Sequence, residues 1–337
     1  MVTIYDIAKE AGVSISTVSN VIHGVKSHVS PDTVERIKKI IEEKQYKPNM
    51  SARALATKNS RIVGMLSHVE KQDYTCLPED PFLGMLFRSV EMELSARNYY
   101  LMIKTVSTEE ELLDLHKNWN FTGMIIHGVF EGSFFNQLSK MSLPCVLIDS
   151  YIKHNRFLNI GLEDFKGAYA ATSYLINKGH KNIAFASPDI FETGVVAERF
   201  AGYKAALSEA GIEFNQNNVF QVSTLDSGWQ IGEKLSARPD ITGIFATADF
   251  LAMGIISALQ SHNIRVPDDK SVIGFDDIFA SQMFNPPVTT IRQDVTQKGR
   301  LAVQALVDLI EGRECKVNTV LPVNLVERKS VKQIEMK

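Results

Sequence analysis

The stretch from Val2 to Gly24, VTIYDIAKEAGVSISTVSNVIHG, constrains the fold more than any other part of the chain. Thr3 and Asp6 have the spacing of a capped helix start, and Ile4, Ile7, Ala8 and Ala11 then recur at i, i+3, i+4 and i+7. Gly12 stops that helix, Ser14 can cap a second, and the second carries the apolar stripe Val18, Val21 and Ile22 before Gly24 ends it. Neither helix is long enough to bury a core alone, so the two must cross around the turn AGVS and share a partner. The segment SPDTVERIKKIIEEK supplies one. Ser30 is its N-cap, Pro31 its first residue and Asp32 its acidic first turn, with Val34, Ile37, Ile40 and Ile41 on one face.

Two short helices around a tight glycine turn make a helix-turn-helix, whose second helix projects small polar side chains into a major groove. The groove-facing residues are then Ile15, Ser16, Thr17, Ser19 and Asn20. Asn20 can pair with adenine, Ser16 or Ser19 can meet a base or a phosphate, and Ile15 can meet a thymine methyl. Thr3, Tyr5, Ser27 and His28 are placed to touch phosphates beside the groove. Charge agrees with this reading. Up to Arg61 there are ten Lys and Arg against six Asp and Glu, so a head of about +4 sits on a body of about −7.

Past Tyr46, Pro48 ends what precedes it, Asn49 can cap, and MSARALAT favours a helix too short to be stable by itself. Leu55 has no core of its own there. The expectation is a linker that folds on DNA, with Leu55 wedged between base steps of the minor groove and Asn49, Ala52 and Arg53 beside it; an ordinary exposed linker is the alternative.

The rest of the composition excludes several classes. The chain has 337 residues, 45% of them hydrophobic and 22% charged, which suits a soluble protein of two or three domains. No apolar run is long enough to span a membrane, and the opening MVTIYDIAKE lacks a signal-peptide layout, so a cytoplasmic location is expected. Cys76, Cys145 and Cys315 are far apart, and the eight histidines form no ligand cluster, so no disulfide framework, metal or cofactor is expected. Nucleophile-elbow, phosphate-loop and dinucleotide motifs are missing, which speaks against an enzyme.

From Arg61 the period changes. RIVGMLS, YYLMIK, TGMIIHG and PCVLIDS are short runs apolar throughout, separated by segments of helical spacing, and the alternation resumes after NIGLED. Such runs suit strands buried on both faces of a parallel sheet, and two successive doubly wound α/β halves accommodate them all. Ligands then bind outside the carboxyl ends of the strands, between the lobes. Asp149, Asp249 and Asp276 stand at such ends and Arg199 opens a helix nearby, a set able to hold several hydroxyls; Phe82 can supply an apolar wall. Each aspartate could instead cap the next helix. Gly179, His180 and Trp229 read as structural.

TIYDIAKEAGVSISTVSNVI, followed by Tyr46, Pro48 and Asn49 and by Ala52 to Leu55, resembles the lactose and galactose repressor family of bacterial transcription regulators. The resemblance implies a helix-turn-helix DNA-binding head at 1–46, a hinge helix at 47–60 and a periplasmic-binding-protein-like core at 61–337. It further implies a chain that crosses three times between lobe N, at 61–158 and 292–318, and lobe C, at 159–291 and 319–337. It implies a homodimer on a palindromic DNA operator, controlled by a small molecule, a sugar or relative, in the interlobe cleft. A protein corepressor is the alternative partner, and a solute-binding transport receptor the alternative use of the core. Arg199, Asp249 and Asp276 fall on recurrent cleft positions of the family, Asp149 and Phe82 on variable ones. The chain departs from the family pattern at Ala248, at VSTLD and in the longer loop ETGVVAER.

Overall fold

The computed structural model describes residues 2–22, 29–46, 60–69, 80–152, 154, 156–222, 227–315 and 318–334. Ser27, His28, Asn49, Ala52, Arg53 and Leu55 lie outside them. The chain forms two compact units, Met1–Ser60 and Arg61–Lys337.

The first unit holds α1 (Ile4–Ala11), α2 (Ile15–Ile22) and α3 (Pro31–Glu43). The Thr3 hydroxyl accepts from the Asp6 amide while the Asp6 carboxylate accepts from the Thr3 amide at 2.8 Å, a reciprocal cap. Gly12 ends α1 at φ 63°, a left-handed turn that costs other residues. Ser14 takes the Thr17 amide at 3.1 Å at the head of α2, and Ser30 caps α3. Ile7, Ala8, Ala11, Val18, Ile37 and Ile40 close into one small core. Three helices too short to persist singly are held by that shared burial.

In chain order the second unit begins with β1 (Ile62–His68), α4 (Pro81–Ser95), β2 (Tyr100–Val106), α5 (Glu109–Asn118), β3 (Phe121–His127), α6 (Ser133–Leu138), β4 (Cys145–Ile148) and β5 (Leu158–Leu162). It continues with α7 (Asp164–Asn177), β6 (Ile183–Pro188), α8 (Val195–Glu209), β7 (Val219–Val222), α9 (Gly228–Ser236), β8 (Gly243–Ala246), α10 (Asp249–Ser261), β9 (Ser271–Asp276), α11 (Phe279–Met283) and β10 (Thr289–Gln293). It closes with α12 (Val295–Ile310), β11 (Asn318–Leu321) and β12 (Val323–Val326). One sheet runs β11-β5-β4-β3-β1-β2, parallel throughout; the other runs β12-β10-β9-β8-β6-β7, parallel except for the antiparallel pair β10 and β12. These are two α/β lobes of parallel-sheet type, and β4, β8 and β9 are buried along their whole length.

The chain passes between lobes at Glu163, Asp294 and Pro322. Each crossing lies a few residues later than the boundary expected above, because β5, β10 and β11 are completed in the sheet that they join. α12 therefore packs on α4 and on β3, β4 and β5 of the first lobe, and α7 packs on α8 in the second. Gly202 permits the latter approach, since a Cβ there would lie 2.2 Å from the Phe165 carbonyl oxygen. His180 is buried as expected of a structural residue, whereas Trp229 is 44% exposed, with its indole N–H donating to Glu233 at 3.1 Å. Among the described residues no helix is long and apolar enough to cross a membrane.

Candidate functional site

Two faces of the molecule carry the residues singled out from sequence. On the first unit, Ile15 and Ser16 are exposed and Thr17, Ser19 and Asn20 half-buried on α2, while Val18 is buried. The Ser14 hydroxyl lies 2.7 Å from that of Ser16 and 2.8 Å from that of Thr17, so these two side chains already serve the start of their helix. Thr3 likewise donates its hydroxyl to Asp6 at 2.7 Å. Tyr5, 60% exposed, and Ile15, 47% exposed, are large side chains left outside the small core. A helix start with an exposed outer face and an anchored inner one is what groove insertion requires.

In the second unit the carboxyl ends of the two sheets meet. Asp149 follows β4 and Asp276 ends β9, both with positive φ, 52° and 112°. Asp tolerates that region better than most residues, and strain of this kind collects at functional sites. From α12, Lys298 donates to both oxygens of Asp149 at 2.8 and 2.7 Å and to the Gln293 side-chain oxygen at 2.8 Å. Gln293 then donates to Asp276 at 2.6 Å. The relay Asp149, Lys298, Gln293, Asp276 thus joins the strand ends of both lobes.

A second bridge starts at Tyr151, whose hydroxyl donates to Asp164 at the start of α7. Asp164 accepts from the Arg199 Nε at 2.8 Å, Arg199 also donates to the Thr247 carbonyl, and its guanidinium lies 3.5 Å from the Phe275 ring centroid. Phe82 closes one wall, 5.4 Å from the Lys298 ammonium and 6.2 Å from the His127 ring. Phe130, after β3, meets Phe191, after β6, with ring centroids 5.6 Å apart. Phe191 directly precedes the longer loop ETGVVAER that leads to Arg199.

The structure therefore brings Phe82, Asp149, Arg199 and Asp276 together. Asp249 differs from the expectation that it faces a ligand. It is fully buried, and its carboxylate accepts from the Thr290 hydroxyl at 2.5 Å and the Ile278 amide at 3.0 Å, which ties β10 and the segment before α11 to the head of α10. Burial pushes its pKa up to about 7. Asp276 is also held well above the carboxylate range by burial, with Arg199 working the other way. Burial opposes the charge on Arg199, and the carboxylates of Asp164 and Asp276 more than offset it. Sequence reasoning missed Tyr151, Asp164, Gln293 and Lys298. Lys298 had a signal: it shares a helix face with Val295, Gly299 and Ala302, where an apolar residue belongs.

Known proteins match both halves of this description. Residues 3–49 match the model for bacterial regulatory proteins of the lacI family, and residues 172–331 that for a periplasmic binding protein-like domain. Over 338 residues the chain is 31% identical to the HTH-type transcriptional regulator RegA of Clostridium saccharobutylicum, covering 97% of this chain and 98% of that one. Among solved structures, the Lac repressor dimer bound to operator and the anti-inducer ONPF superposes with a TM-score of 0.83 at 25% identity, covering 98% of this chain and 99% of the other. A complex of the transcriptional regulator CelR with cellobiose gives 0.72 at 27% identity, covering 98% and 100%.

Proposed function

The chain belongs to the LacI family of bacterial regulatory proteins, whose members are transcriptional regulators and not enzymes, and on that premise we propose that it is a repressor binding a palindromic operator as a homodimer. The observation that carries this is α2, anchored by Val18 and presenting Ile15, Ser19 and Asn20. Asn20 reads an adenine, Ile15 packs on a thymine methyl, and Tyr5 with the head's basic charge holds the phosphates. The hinge residues Asn49, Ala52, Arg53 and Leu55 order on DNA and kink its centre.

A carbohydrate effector in the interlobe cleft controls the grip, and the protein acts in the cytoplasm. The two bridges that join the lobes support this reading, because a ligand that displaces or braces them changes the angle between the sheets. Such a ligand acts only by binding one lobe arrangement better than the other. Exposed apolar side chains support the dimer. Met85 and Met92 on α4, Tyr100 and Ile103 on β2, and Phe279 and Met283 on α11 are all left to solvent by the single chain.

Selection from a random duplex pool at physiological salt tests the proposal. A two-fold symmetric site is expected to enrich, and Asn20→Ala to relax preference at one base pair per half-site by about 1–3 kcal/mol. A pool that shows no enrichment removes the DNA-reading role. An unaltered Asn20→Ala profile moves the reading of adenine elsewhere.

A further inference from the structure

The charges around the cleft narrow what can enter it. Among the described residues, Asp80, Asp149, Asp164 and Asp276 reach this region, with Arg199 and Lys298 as the cations that face them. His127 adds no charge near neutral pH, since burial lowers its pKa. Lys298 is fully buried, and its three donors are taken by the two Asp149 oxygens and by Gln293. Arg199 is taken by Asp164, by the Thr247 carbonyl and by the face of Phe275. Each cation already has its own carboxylate. Asp276 has only the Arg199 that Asp164 already holds, and Asp80 is met by backbone amides.

The helix starts near the cleft do not make up the deficit. Asp80 itself caps α4, accepting from the Phe82 amide at 2.9 Å, so a carboxylate already sits at that positive end. At the start of α8 the Phe130 ring lies against Gly194, where a Cβ would come within 2.4 Å of it. Neither of these two helix starts is open to a phosphate, one being filled by an anion and the other by an apolar ring.

Uncharged polar groups, by contrast, lack partners. Ser187 and Thr247 follow the register pair Ala186 and Ala246 at the carboxyl ends of β6 and β8, so they stand side by side. They are 0% and 2% exposed, and neither hydroxyl has a hydrogen-bond partner in the protein. The Thr247 carbonyl is the one that holds Arg199. Buried hydroxyls without partners are costly, and a ligand able both to donate and to accept removes that cost. Asp276, with one donor from Gln293, has acceptor capacity left for hydroxyl groups as well.

We infer that the cleft takes an uncharged polyhydroxy ligand and rejects the phosphorylated form of the same sugar, with Lys298 setting that preference by neutralising Asp149 in place of a ligand anion. This rests on the cleft being the effector site. A phosphate monoester adds between one and two negative charges to a region where, among the described residues, both cations are already paired with carboxylates, which weakens binding by about a hundredfold or more.

The test is thermal shift on the full chain with matched pairs: ribose and ribose 5-phosphate, glucose and glucose 6-phosphate, sucrose and sucrose 6-phosphate, cellobiose and cellobiose 6-phosphate. At least one free sugar is expected to raise Tm while its ester does not. An ester that raises Tm as much as its free sugar overturns the inference and leaves the effector site standing. No shift from either member of any pair overturns both. Lys298→Met, checked for native circular dichroism, tests the role of the lysine. With Asp149 left unneutralised, preference for glucosamine over glucose is expected to rise about tenfold. An unchanged ratio removes Lys298 as the determinant, and if the variant does not fold, the wild-type pairs decide.

Discussion

Arg199, expected from the sequence to meet a ligand, holds the fold. The residue is 7% exposed and its guanidinium pairs with a fully buried Asp164 side chain, so removing it leaves a carboxylate uncompensated in the interior. Arg199→Ala is therefore expected to destabilise the core by about 3–5 kcal/mol in urea unfolding. Loss of ligand response in that variant counts only at a temperature where it remains folded. His180 gives a pH signature. It is buried with Nδ1 3.0 Å from the Thr242 hydroxyl, and burial lowers its pKa to about 4. Its folded pKa lies below its unfolded value, so the stability it contributes is full above about pH 6.5 and is lost as pH falls toward about 4. His180→Gln should flatten the acid side of the Tm profile over that window by about 1–3 kcal/mol, read by calorimetry. The sequence marked both residues, but it could not show that the Arg199 charge is matched from α7, because Asp164 is distant in the chain and ordinary as a first-turn acid.

At the scale of elements, local signals located most of the structure. Thr3 and Asp6, Gly12, Ser14, Ser30 and Pro31 each sit at the helix boundary that their chemistry favours. Thr3→Ala is expected to cost about 1 kcal/mol of head stability, measured by thermal unfolding of the full chain at the transition of the first unit. It should also free the Asp6 carboxylate, whose pKa the Thr3 hydrogen bonds hold down. Strands β5 and β10 were not legible as separate elements. They are five residues each, carry Asn, Thr, Arg or Gln between their apolar positions, and owe their pairing to neighbours remote in sequence. The lobe boundaries shifted for the same reason. A crossing point is set by where a strand stops finding a partner, and that depends on the sheet and not on the residues at the junction.

For the whole molecule, the exposed apolar set makes the clearest prediction. Phe279 and Met283 are 70% and 73% exposed on a five-residue helix, beyond what a solitary chain should present. Phe279→Glu combined with Met283→Glu is expected to shift sedimentation from dimer to monomer and to weaken operator binding, while circular dichroism stays native. A variant that sediments as wild type would place the subunit contact elsewhere. The helix-turn-helix head, the change of period at Arg61 and the doubly wound core were determined by the sequence alone, because caps, glycine turns and hydrophobic spacing act between residues close along the chain. Only the tertiary structure decided which charges are spoken for. Whether Lys298 meets Asp149, whether Asp249 faces inward and whether Asp276 keeps acceptor capacity depend on how two sheets bring their strand ends together. Such pairings are fixed by distance in space, to which spacing in sequence gives no guide.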